Sequence, residues 1–92
     1  MISSFKDNAT RQLYETDESR KFGSILRAAL RKLDMIAAAT TVDTLRIPPG
    51  NRLEKLSGDR RGQWSIRIND QWRICFEWSG TNATNVEICD YH

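Results

Sequence analysis

The sequence predicts an α+β domain, with N-terminal helices packed on one face of a mainly antiparallel, twisted β-sheet, and three observations predict it. Up to Ala39 the apolar residues recur with a helical period, and after Pro48, Pro49 and Gly50 the period changes to two. The third is size: 92 residues, 39% hydrophobic and 28% charged, are enough for one modest core and leave little room for a second. The whole chain, 1–92, is therefore read as a single domain.

Met1 to Phe5, where Ile2 and Phe5 alternate imperfectly with serines, is expected as a short edge strand. A first helix should begin near Asp7, capped by Asp7 or Asn8, and run to about Tyr14. Thr16 to Lys21 is a charged connector. The clearest element is Ser24 to Ala39, in which Leu26, Ala29, Leu30, Leu33, Ile36 and Ala37 draw one apolar stripe down an amphipathic helix. Arg27, Arg31 and Lys32 lie off that stripe, either as solvated surface or as an extension of a basic footprint. Thr40 and Asp43 match a capping box, so a short helical turn is expected from Thr41 to Arg46.

Beyond the prolines, Trp64 to Ile68 places Trp64, Ile66 and Ile68 on one face and Ser65 and Arg67 on the other. Asn69 to Gln71 is a tight connection to Trp72–Trp78, where Trp72, Ile74, Phe76 and Trp78 face the core and Arg73, Cys75 and Glu77 face away. After a turn at Gly80 to Thr84, a third strand carries Val86 and Ile88 inward and Glu87, Cys89 and Tyr91 outward. The loops suggest Ile68 opposite Trp72 and Trp72 opposite Asp90. A row of Arg67, Arg73 and Tyr91 is read from them, with Cys75 opposite Cys89 and Glu77 opposite Glu87.

The charge is concentrated. Asn51 to Arg73 holds six cations (Arg52, Lys55, Arg60, Arg61, Arg67, Arg73) against Glu54, Asp59 and Asp70, a local balance of +3 in a chain whose total is +2. Guanidinium groups fixed on an open sheet face can bind phosphate bidentately, although ion pairs with Glu77, Glu87 or Asp90 would look the same in sequence. Tyr91 fits a proton donor, a stacking platform or a core-edge aromatic, and His92 is the single histidine. Glu54 is the natural candidate for a general base on the basic loop, against the commoner reading of a solvated surface carboxylate.

Other chemistries find no support. No run approaches the roughly 18 apolar residues of a membrane helix. The N-terminus lacks signal-peptide and transit-peptide character, and Cys75 and Cys89 are too few for a secreted disulfide framework, so a cytoplasmic location is expected. One histidine and two cysteines give no zinc spacing, there is no hard-metal carboxylate cluster, and no glycine-rich phosphate loop occurs. The cysteines read as packing residues, and no metal or other cofactor is expected.

Four strings together are specific: the start MISSF, the helix RKLDMIAAAT, the central PPGNRLEKLSGDRRGQWSIRINDQWRICF and the terminal VEICDYH. Over essentially the whole chain they resemble the HigB toxins of HigBA toxin–antitoxin modules, a branch of the RelE superfamily. The likeness is greatest to the subgroup of GraT and the plasmid-maintenance killer proteins. The resemblance implies a small RelE-like fold and a ribosome-dependent endoribonuclease that cuts mRNA in the A site by attack of the 2′-hydroxyl, without metal. It implies that Arg73 stabilises the phosphorane, that Asp90 and Tyr91 orient the mRNA or the neighbouring acid, and that His92 transfers a proton. Glu54 stands where some members have a histidine, and Ser57 where they have a lysine; Lys55 or Arg60 would compensate, and weaker cleavage is expected. Arg52, Lys55, Arg60, Arg61 and Arg67 are the expected RNA and ribosome contacts. The expected partners are the 70S ribosome with its mRNA and a HigA-type helix-turn-helix antitoxin, in a heterotetramer. No membrane partner is expected, and no direct DNA binding by the toxin alone. The rival readings are a toxin that binds the ribosome or blocks its assembly without cutting, and, by fold analogy, a gyrase poison.

Overall fold

The computed structural model describes residues 1–90; Tyr91 and His92 lie outside the described residues. Helix α1 spans Asn8–Thr16 and α2 spans Leu26–Ala38. Strands β1 (Glu54–Lys55), β2 (Gln63–Arg67), β3 (Trp72–Ser79) and β4 (Asn82–Asp90) form one antiparallel sheet in the order β1-β2-β3-β4. The helices cover a single face of it. Leu13 of α1 and Ala29, Leu33 and Ile36 of α2 join Ile66, Ile74, Phe76, Val86 and Ile88 in one buried cluster. This is the α+β arrangement the change of period predicts.

Asp7 caps α1 as expected, its Oδ1 accepting from the Thr10 amide at 3.3 Å. The expected helix start at Ser24 is a 3-10 turn, Gly23–Ile25, that leads into α2, and the N-cap position falls to Ile25 without a side-chain hydrogen bond. The turn expected after Thr40 is a 3-10 helix, Val42–Arg46, with Thr41 at its N-cap and no side-chain cap bond. The capping box does not form, because Asp43 turns instead to Arg46 Nε at 3.1 Å. Met1 to Phe5 lies along the sheet edge as expected, but through two isolated parallel bridges, Ile2 to Ala83 and Phe5 to Val86, and not as a continuous strand.

The sheet differs from expectation in three places. Strand β1 is additional, a two-residue strand in a segment that carries no alternation of its own. Strand β4 begins at Asn82 because the turn is only Gly80 and Thr81, with Gly80 at φ +64 where a side chain would be strained. A register shift between Cys75 and Glu77, with Asn85 at φ +50, then lets Ala83 and Val86 both enter the core although they are three residues apart.

Register decides what stands beside what. Trp72 pairs with Asp90 as expected, and Arg67 pairs with Arg73. That pairing excludes the wider row: antiparallel partners step in opposite directions, so Arg73 faces Cys89 and Cys75 faces Glu87. The expected Glu77–Glu87 repulsion is absent; Glu77 lies opposite Thr84 and accepts from Asn85 Nδ2 at 2.7 Å. Among the described residues no helix is long and apolar enough to cross a membrane.

Candidate functional site

The site is built on the sheet face turned away from the helices. Its centre is Arg73, a cation only 9% exposed, which a fold tolerates only when the guanidinium is hydrogen-bonded. Nε donates to Ser65 Oγ at 2.8 Å, and Nη2 donates to the carbonyl oxygens of Arg52 at 2.7 Å and Ser65 at 3.4 Å. Glu54 Oε1 stands 3.6 Å from Nη2. Pairing of Glu54 with Ser65 across β1 and β2 puts that carboxylate on the Arg73 face, while 51% of its side chain remains open to solvent.

The loop before β1 is shaped to deliver the Arg52 carbonyl. After the 3-10 turn Pro49–Asn51, Arg52 adopts φ +47 and ψ +53, a left-handed conformation uncommon for a residue with a side chain. Asn51 anchors the turn. It is fully buried, donates Nδ2 to Leu45 O at 3.1 Å and accepts from Lys32 Nζ at 2.5 Å. Lys32 is therefore neither solvated surface nor a phosphate contact in this structure but a strut between α2 and the loop. Burial, then the charges of Arg31 and Arg67, lower its pKa.

The other expected site residues divide. Arg67 lies directly opposite Arg73 and is ion-paired with Asp70. Arg61 and the Arg52 side chain are exposed. Lys55 pairs with Trp64, one step out of phase with Glu54, and its ammonium sits 5.6 Å above the Trp64 ring on the opposite side of the strand. Arg60 is turned to Glu87, its Nη1 donating to Glu87 Oε1 at 2.7 Å and to Gln63 Oε1 at 3.1 Å. Ser57 is exposed at the start of a 3-10 turn, Gly58–Arg60. Neither Lys55 nor Arg60 thus replaces, in this arrangement, the lysine that Ser57 displaces. Asp90, opposite Trp72 and out of phase with Arg73, accepts from Gln71 Nε2 at 3.2 Å. The expected roles of Tyr91 and His92 fall outside the described residues.

Sequence reasoning missed Ser65, which looked like an ordinary outward strand residue; the only signal was that a small hydroxyl shares a face with two arginines. Glu87 was expected as an ion-pair partner of Arg67 or Arg73, but it is Arg60, the Cys89 thiol at 3.1 Å and Lys6 at 3.7 Å that approach it. Burial alone would raise its pKa, but the hydrogen bonds from Arg60 and Cys89, aided by the charge of Lys6, hold the carboxyl below the usual range. Cys89 is pushed the other way, by its hydrogen bond to Cys75, by burial and by Glu87. Both cysteines are free and, with Leu56, form a small buried cluster under the loop, the packing role expected of them.

The lowered pKa of Glu87 has a definite sign in stability. Its contribution is complete above the unfolded carboxylate pKa of about 4.3 and is lost as pH falls through the lower folded value. Urea midpoints measured from pH 6 to pH 3 should therefore fall more steeply for the wild type than for Glu87→Gln. Parallel curves would remove Glu87 from the acid response.

Comparison with known proteins then adds to the geometry. The family described as "RelE-like toxin of type II toxin-antitoxin system HigB" matches residues 3–92. Toxin HigB-1 of Vibrio cholerae is 44% identical over 90 residues, 96% of this chain and 95% of the relative. Endoribonuclease HigB of Proteus vulgaris is 31% identical over 93 residues, covering 100% of both chains. Among solved structures, the YoeB–YefM complex from Staphylococcus aureus aligns with a TM-score of 0.58 at 16% identity, over 100% of this chain and 98% of the other. A YoeB/ParE toxin from Agrobacterium tumefaciens aligns with a TM-score of 0.57 at 18% identity, over 100% of each chain. At these identities the structural likeness concerns the fold.

Proposed function

Since this chain belongs to the RelE-like HigB toxins of type II toxin–antitoxin systems, we propose that it is a ribosome-dependent endoribonuclease that cleaves mRNA in the A site and so arrests translation and growth. The observation that carries this reading is the Arg73 guanidinium, fixed on the sheet face turned away from the helices by Ser65 and the Arg52 carbonyl, 3.6 Å from a solvent-accessible Glu54 carboxylate. A second cation, Arg67, stands directly opposite it. Like charges on neighbouring strands are unfavourable, so a pair kept there is suited to an anionic ligand. The name of the Proteus vulgaris relative, Endoribonuclease HigB, supports the same chemistry.

RNA carries its own nucleophile. The 2′-oxygen forms a bond to the adjacent phosphorus while the bond from phosphorus to O5′ breaks, giving a 2′,3′-cyclic phosphate and a free 5′-hydroxyl. A base must take the 2′-hydroxyl proton, and an acid must return one to O5′. We assign the first role to Glu54, and to Arg73 the stabilisation of the charge that builds on the phosphorane oxygens. Proton transfer by His92, and orientation by Tyr91 and Asp90, rest on the family resemblance. Arg52, Arg61 and Arg67 are proposed as contacts to mRNA or ribosomal RNA. We also propose an antitoxin of the HigA type as partner, in line with a fold neighbour, YoeB, solved in complex with YefM.

One observation favours a second reading. With Arg60 engaged by Glu87 and Lys55 on the other side of β1, the phosphate site has fewer cations than the charge count suggested. A toxin of this kind that binds the ribosome and cuts weakly or not at all remains the alternative. Primer extension on a defined mRNA, with and without translating ribosomes, separates the two. New 5′ ends within A-site codons, only where ribosomes are present, are the expected result. Intact mRNA under a protein that still stops growth would overturn the nuclease in favour of the binder.

A further inference from the structure

We propose that Ser65 is the positioning residue of the Arg73 guanidinium, an inference that rests on the nuclease reading for its catalytic meaning. A guanidinium is a planar fork of five N–H donors, and holding donors on two of its nitrogens fixes the orientation of the plane. Here one is Nε, held at 2.8 Å by Ser65 Oγ, and the other is Nη2, held at 2.7 Å by the Arg52 carbonyl. Of these two acceptors the first belongs to a side chain and can be removed without rebuilding the loop.

Ser65 is placed for this by the sheet itself. It sits on β2 with no solvent exposure, paired with Glu54 on one side and Cys75 on the other. Its hydroxyl and the Glu54 carboxylate therefore rise from neighbouring strands on the same face, one at each side of the guanidinium. A serine fills this position with little volume. A long polar side chain such as glutamine would compete with the guanidinium for space, threonine keeps the hydroxyl at the cost of one methyl group, and alanine would leave the volume but delete the acceptor. The hydroxyl thus sets where the charge of Arg73 points, while Glu54 is left half open for chemistry.

The test compares wild type, Ser65→Ala, Ser65→Thr, Arg73→Ala and the Ser65→Ala/Arg73→Ala double variant. Cleavage on programmed ribosomes gives kcat and KM, thermal melts give folding, and ¹⁵N-edited spectra give the exchange rate of the Arg73 Nε proton. Ser65→Ala is expected to lower kcat by about 10- to 100-fold with KM little changed, the scale on which misplacement of a catalytic group is felt. Its Arg73 Nε proton should exchange faster. Ser65→Thr, which keeps the hydroxyl, should retain most of both properties, and Ser65→Ala should add nothing to Arg73→Ala. Unchanged Nε exchange in Ser65→Ala would overturn the proposal. So would a loss confined to melting temperature, or effects that add in the double variant. A wild type that never cleaves, but whose Nε proton loses protection in Ser65→Ala, would leave Ser65 as the holder of Arg73 and sink the nuclease reading alone.

Discussion

Arg73→Ala is expected to reduce cleavage of ribosome-bound mRNA by at least about 10² to 10³-fold, the usual cost of deleting one preorganised donor aimed at developing negative charge. The protein should remain folded. Arg73 is almost wholly buried, yet its removal also ends a like-charge opposition with Arg67, and the groups it leaves behind among the described residues include two carbonyls, a hydroxyl and an exposed carboxylate. The hydroxyl can reorient to donate to a neighbour. Arg73→Lys keeps the charge but not the planar fork, so it should recover only part of the rate. Melting curves alongside single-turnover cleavage, and growth arrest on induction, check the claim. A folded Arg73→Ala protein that still cuts mRNA would remove Arg73 from the chemistry. One that still arrests growth without cutting would point to the ribosome-binding alternative.

Much of this arrangement was legible in the sequence, and the residues show where legibility stopped. The stripe of Ala29, Leu33 and Ile36 in α2 and the alternation of Ile74 and Phe76 in β3 are read directly, because periodicity reports which face is buried. Parity likewise put Arg67 and Arg73 on one face. The loops also gave the Trp72 to Asp90 register, and antiparallel stepping from it makes Cys89 the partner of Arg73 on β4, so the wider row drawn beside that register was inconsistent with it. Strand β1 carries no pattern of its own, since Glu54 and Lys55 become a strand only by pairing with Ser65 and Trp64. Until that pairing is known, Glu54 and Lys55 look like neighbours on one basic loop, when in fact they serve opposite faces. The role of Ser65 was hidden for a similar reason. It depends on a left-handed Arg52 whose carbonyl meets the same guanidinium, a coincidence of two segments that no local pattern encodes. Arg60 shows the reverse case, a cation counted by charge alone whose partner in the fold is Glu87.

Three residues along the same strand, Phe76→Ala should weaken the fold and spare the chemistry. Phe76 has no solvent exposure, lies in the main core, and meets Trp78 edge-on at 6.4 Å between ring centroids. Truncating such a side chain costs about 3 to 5 kcal/mol, through lost burial and the cavity left behind. A domain of this length has only about 5 to 14 kcal/mol in total. At about 4 to 8 °C per kcal/mol, the melting temperature should fall by at least about 12 °C. The pleat separates the two effects. Phe76 points to the helices, while Arg73 is held from the other side by Ser65 and the Arg52 carbonyl. Measured at low temperature and corrected for the folded fraction, cleavage by Phe76→Ala should stay within a few-fold of wild type. The contrast with Arg73→Ala, stable and inactive, is what a strand with a structural face and a chemical face requires. If Phe76→Ala molecules that are demonstrably folded lose as much rate as Arg73→Ala, the position of the guanidinium is set by core packing through β3, and the hydrogen bonds on the open face are not sufficient to hold it.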